Sequence, residues 1–199
     1  MATEKEKEAF VGRSGGATSS PRVHSLCQKR LNHATSKSNY VRYMLEAMKK
    51  AGCEVCVPRH LVCEPCGPLV AGGFDPYRQQ IVLCENNIYS QGHMNETLTH
   101  ELVHSYDYCR AKLDWNDLHH LACTEVRAAN LSGECFFWKE TFARLKFGWR
   151  KHHQTCVKER ASKSMQCVRE ITEAEALAVV ESVFQTCFTD TDPFERVPP

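Results

Sequence analysis

Long apolar runs are missing from this chain of 199 residues. Its uninterrupted hydrophobic stretches fall far short of the roughly 18 residues a spanning helix needs, so any membrane attachment is expected to be peripheral. Charge of one sign is not in excess either. With 25 basic residues against 24 acidic ones and a formal net charge of +1, no global field argues for nucleic acid, and no direct binding to it is expected. The opening stretch MATEKEKEAFVGRSGG has no apolar core of the kind a secretory signal carries. Glu4, Glu6 and Glu8 do not suit the acid-poor composition of a mitochondrial transit peptide. No internal repeat is found at any useful period. The length suits one domain with tails: a polar, Ser- and Gly-rich flexible tail over 1–35, a folded domain over 36–189, and a polar, Pro-rich tail over 190–199.

What is abundant is cysteine. Twelve cysteines are many for a reducing compartment, where thiols usually serve metal binding or catalysis. An oxidising compartment entered without a cleaved signal reconciles the two observations, and the mitochondrial intermembrane space is one candidate. Cys53, Cys56, Cys63 and Cys66 form C-x2-C-x6-C-x2-C, with the ligand type of a second zinc site. The six-residue middle is tight for common four-cysteine zinc patterns, which favours disulfides over a Cys-bound zinc.

The chemistry enters with NETLTHELVHSYDYCR, residues 95–110, which holds two histidines and a glutamate in the order H-E-x-x-H. Composition alone gives about 0.04 chance occurrences of such a match, and the motif still needs its helical context. Leu98, Leu102, Val103 and Tyr106 recur at helical spacing, with Asn95 as the expected N-cap. On that helix His100 and His104 share a face one turn apart, the arrangement that lets two imidazoles hold one zinc ion. Glu101 points roughly 100° away from His100, which suits a general base rather than a ligand.

Catalytic zinc usually takes three protein ligands, so one more is needed. The metzincin pattern would require Gly and His where Asp107 and Arg110 stand. Asp107 shares the histidine face but lies about 10.5 Å along the axis from His100, beyond easy reach, and is expected to hold the ring of His104 or to face solvent. Glu125, on a separate helix expected over 121–131, is the favoured third ligand, followed by His119 or His120 and then Asp107. Arg127 and Glu134 read as solvated or ion-paired.

Other elements can be placed coarsely. Val41, Met44, Leu45 and Met48 predict a helix from Asn39 that stops at Gly52. The segment CEVCVPRHLVCEPCGP reads as irregular. Gly72-Gly73 and Asp75-Pro76 read as turns, followed by a strand over Gln80–Cys84 that offers a sheet edge to an extended peptide. A helix is expected through Phe136, Phe137, Thr141 and Leu145, and Phe136, Phe137, Trp138, Phe142, Phe147 and Trp149 read as core. A last helix starts at a capping box formed by Thr172 and Glu175 and runs through Phe184.

With GGFDPYRQQIVLCENN, THELVHSYDYCR and CTEVRAANLSGEC on the page, the chain closely resembles a family of metalloproteases associated with the mitochondrial inner membrane. The resemblance covers residues 39–188 and is most specific over 72–135. It implies an α+β, zincin-like domain, mostly helical with a small sheet and an HExxH helix. It also implies a zinc cofactor on His100 and His104, catalysis by Glu101, and a location on the intermembrane-space side of the inner membrane. The implied substrate is the precursor of an ATP-synthase membrane subunit, with assistance to F0 assembly. Vertebrate members are also named as Ku-binding proteins, so Ku is an implied partner. Two rival functions stand beside the protease: a non-proteolytic assembly chaperone, and a Cys-zinc adaptor acting with Ku in DNA repair.

Overall fold

A computed structural model describes residues 19–135 and 149–197. The start of the chain, the helix expected through Phe136 to Leu145, and the aromatics Phe136, Phe137, Trp138, Phe142 and Phe147 lie outside the described residues. The elements, in chain order, are α1 (Pro21–Lys37), α2 (Asn39–Lys50), α3 (Val57–His60), β1 (Leu61–Glu64), β2 (Gly72–Asp75), β3 (Gln80–Cys84), α4 (Gln91–Arg110), α5 (Leu118–Leu131), α6 (Trp149–Val168) and α7 (Glu173–Thr189). The architecture is α+β, mostly helical with one small sheet. Where the sequence reads as one domain over 36–189, the fold divides into two compact units that meet in sequence between Lys112 and Leu113.

In the first unit, α1 begins at Ser20, whose side chain accepts from the Val23 backbone N–H, with Pro21 in the first turn. Cys27, Leu31 and Ala34 recur at helical spacing and are buried. A disulfide from Cys27 to Cys63 fastens this helix to β1. The tail expected over 1–35 is therefore corrected for its second part: an apolar stripe and a covalent bond order a segment whose overall composition is polar. Helix α2 buries Val41, Met44 and Met48 and gives way to Gly52 at φ +86°, a left-handed conformation that costs glycine little. Cys53 and Cys109 are bridged, linking the segment after α2 to the last turn of α4.

Strand β3 runs in the middle of the sheet, parallel to β1 and antiparallel to β2. The sheet edge expected of Gln80–Cys84 is thus occupied on both sides, and β1 and β2 are the edges. The segment expected to be irregular contains α3 and β1, because strand pairing with β3 outweighs its Pro- and Cys-rich composition. Gly72-Gly73 opens β2 instead of forming a turn, whereas Asp75 does build one by accepting from the N–H groups of Tyr77 and Arg78. Cys66 and Cys84 close a third bridge beside buried Val82. With Cys53, Cys63 and Cys66 all bonded to other cysteines and Cys56 free, the four sulfurs proposed for a second zinc are not available to it. One sulfur cannot serve a bridge and a metal at once.

In the second unit α5, α6 and α7 share a core of Leu121, Val126, Ala129, Val157, Ala161, Met165, Val180 and Phe184. Bridges Cys123–Cys187 and Cys135–Cys156 reinforce it. Helix α7 starts with the expected capping box of Thr172 and Glu175. The end of the chain is not simply a polar tail. Arg127, only 1% exposed, pairs with the Asp190 carboxylate at 2.6 Å and donates to the carbonyls of Asp190 and Asp192. Glu134 is ion-paired with Arg160 at 3.3 Å. Among the described residues no helix is long and apolar enough to cross a membrane.

Candidate metal centre

Helix α4 begins one turn earlier than its sequence suggests. Ser90 is the N-cap, accepting from the His93 N–H at 3.0 Å, and Asn95 lies inside the helix, where its side chain accepts from Gln91 and its carbonyl from the Thr99 hydroxyl. Ten residues of α4 are buried, and half of them are polar or charged: Thr97, Thr99, Glu101, His104 and Asp107. Burying polar groups costs free energy unless they are bonded, so their density marks this helix as built for chemistry as well as packing.

The two imidazoles of His100 and His104 stand edge to face with ring centroids 4.9 Å apart. Glu101 lies between them in sequence and is 6% exposed. Strand β2 comes close at this point. A Cβ added to Gly72 would sit 2.8 Å from Thr97 Cγ2, 3.0 Å from the Val82 carbonyl oxygen and 3.4 Å from Glu101 Cγ. The absence of a side chain at Gly72 is what lets the edge strand run against the helix beside Glu101. The sequence reading of Gly72 as a turn residue missed this role.

Among the described residues, ligand atoms of His100, His104 and Glu125 form a group in which all lie within 4.8 Å of one another. Tetrahedral zinc at about 2.0–2.1 Å from each ligand would hold such atoms about 3.4 Å apart. Two neutral imidazoles and one carboxylate also form a donor set that zinc accepts while leaving a fourth position open. The residues therefore fit such an ion.

Glu125 sits on α5 and is 4% exposed. Asp117 starts this helix by accepting from the N–H groups of His119 and His120, which hold its carboxyl below the usual range. None of the other candidates is a member of that group. His119 is exposed beside Asp117 at 3.5 Å, and His120 Nδ1 accepts from the Asp114 N–H at 3.2 Å. Asp107 is not in solvent: it is 3% exposed and accepts from Arg110 Nε at 3.0 Å.

Comparison with known proteins agrees with this chemistry. Residues 25–195 match the Peptidase M76 family. The "Mitochondrial inner membrane protease ATP23 homolog" of Danio rerio is 52% identical over 173 residues, covering 86% of this chain and 68% of that protein. Its counterpart in Homo sapiens is 51% identical over the same length, covering 86% and 70%. The "Mitochondrial inner membrane protease atp23" of Schizosaccharomyces pombe is 39% identical over 176 residues, covering 86% and 92%. No solved structure matches the chain significantly.

Proposed function

The chain belongs to the Peptidase M76 family and is a metallopeptidase, and from that premise we propose a zinc-dependent endopeptidase of the mitochondrial intermembrane space, attached peripherally to the inner membrane. The observation that carries the proposal is the grouping of His100, His104 and Glu125, with Glu101 next to the first of them on the same helix. These three residues would hold the ion, in a zincin-like arrangement. Bound there, zinc supplies Lewis acidity to a water and to the scissile carbonyl. Glu101 takes a proton from the attacking water and returns it to the leaving amine. Edge strand β2 offers main-chain groups to an extended peptide, in place of the strand first expected to do so.

The compartment rests on two supports. The relatives are named mitochondrial inner membrane proteases, and five disulfides suit an oxidising compartment. For substrate we infer the precursor of an ATP-synthase membrane subunit, with help to F0 assembly, on the resemblance over residues 72–135. Incubation of purified chain with candidate mitochondrial precursors tests this. Cleavage that a chelator abolishes and zinc restores is expected. No cleavage of any precursor by metal-loaded chain would overturn the proteolytic reading in favour of a non-proteolytic assembly factor.

A further inference from the structure

We propose that the exposed face of α1, together with Leu69 and Tyr89, is the surface by which this protein docks on an anionic phospholipid membrane. The inference rests on the reading of a peripheral inner-membrane protein and says which residues make the attachment. Helix α1 contains Arg22, Lys29, Arg30 and Lys37 and no acidic residue, in a chain whose formal net charge is +1. Arg22, Leu26, Lys29, His33 and Lys37 follow one another at three- and four-residue steps and are all exposed. The opposite stripe of Cys27, Leu31 and Ala34 is buried. A helix anchored on one side, with cations and an apolar residue on the other, is suited to lie on a charged lipid surface.

Exposed apolar groups accompany it in the same unit. Tyr89 is 77% exposed and Leu69 88% exposed, against 45% for Leu26 on the helix itself. Arg30 donates to the carbonyls of Ile88 and Tyr89 at 2.6 and 2.7 Å, which fixes Tyr89 against α1. Asn87 donates to the carbonyls of Gly67 and Val70, both at 2.6 Å, pinning the loop that carries Leu69. Asn86 adds a bond in each direction to Cys66. The backbone that carries the exposed side chain of Leu69 is thus held by hydrogen bonds on both sides of it. Glu85, which meets His24 Nδ1 at 2.6 Å, has a side chain only 2% exposed and so does not present its charge beside the cationic stripe. Cations and projecting apolar groups together favour lipid over an acidic protein, which would satisfy the first and leave the second in water.

Flotation of the purified full chain with vesicles tests the assignment. Binding is expected to vesicles of mixed phosphatidylcholine and anionic phospholipid, weakly or not at all to phosphatidylcholine alone, and less as salt rises. Removing three cations in Arg22→Gln/Lys29→Gln/Lys37→Gln should weaken partitioning about a hundredfold, at about fivefold per residue. Leu69→Ser/Tyr89→Ser should weaken it independently, while zinc content and hydrolysis of a soluble peptide stay at the wild-type level in both variants. Equal binding to neutral and anionic vesicles, or wild-type flotation of either variant, would overturn the docking surface. So would capture by an acidic protein without any vesicle binding, in a chain that still hydrolyses peptide. Salt-sensitive flotation of a chain without hydrolysis would support the surface and count against the protease reading alone.

Discussion

Glu101 is asked to move a proton, and the two histidines beside it to hold an ion, so substitutions should separate the roles. Glu101→Gln keeps size and shape and removes the base; it should retain about one zinc per chain by elemental analysis while kcat falls by about 10²–10⁴-fold. His100→Ala or His104→Ala should lose zinc and hydrolysis together, since each removes a direct bond to the metal. Glu125→Ala should reduce zinc affinity more than Asp107→Ala, whose effect should stay within the roughly 10–100-fold typical of residues behind the ligands; the reverse order would make Asp107 the ligand. Gly72 gives a different test. In Gly72→Ala the new methyl meets Thr97 Cγ2 at 2.8 Å and Glu101 Cγ at 3.4 Å, so kcat should drop at least about tenfold with zinc retained. Adding Thr97→Ser removes the nearest methyl and should recover part of the loss. Wild-type kcat in Gly72→Ala would mean that the strand does not constrain Glu101. Such residues differ in how visible they are from sequence. His100, Glu101 and His104 are legible because the helix repeat fixes their geometry within five positions. Arg127 is not, because the carbonyls it holds lie 63 and 65 residues away.

Elements are legible where their signals are local. The stripe of α2, the run of β3 and the capping box of α7 each declare themselves within a few residues, and each forms near its expected bounds. Helix α1 and strand β1 do not, since what orders them is the Cys27–Cys63 bridge and the pairing with β3. Caps also carry a pH dependence. The Asp117 carboxylate accepts from two N–H groups at the start of the helix that carries Glu125, and those bonds lower its pKa. A folded-state value below the unfolded one means that the cap's contribution is complete above the unfolded value, near pH 4, and is lost as pH falls through the lowered folded value. Protection of the amides in the first turn of α5, taken relative to the intrinsic exchange rate at each pH, should therefore fall in acid. Asp117→Asn, which keeps an acceptor without a titrating charge, should flatten that dependence, whereas Asp117→Ala should speed exchange at neutral pH as well. Protection in Asp117→Asn that still falls with the wild-type acid profile would assign the effect to another group.

At the scale of the whole molecule, cysteine pairing joins composition to compartment. The sequence shows twelve cysteines but not their partners, because bridges that span 18 to 64 residues are chosen by the fold and leave no local pattern. Ten are bonded, three bridges in the first unit and two in the second, and Cys56 and Cys167 are free. Each closed loop should stabilise the unit that holds it by about 2–4 kcal/mol, by removing freedom from the unfolded chain. The pairing also makes a countable prediction. Protein isolated from mitochondria, denatured and alkylated without reduction, should take up two labels, at Cys56 and Cys167, and twelve after reduction, with one zinc bound per native chain. Reduction before thermal melting should lower Tm strongly, and peptide mapping should return Cys53 with Cys109 and Cys66 with Cys84 rather than pairs within residues 53–66. Mostly free thiols accompanied by two zinc ions would overturn both the pairing and the oxidising compartment, since a sulfur bound to zinc is a thiolate that no bridge has consumed.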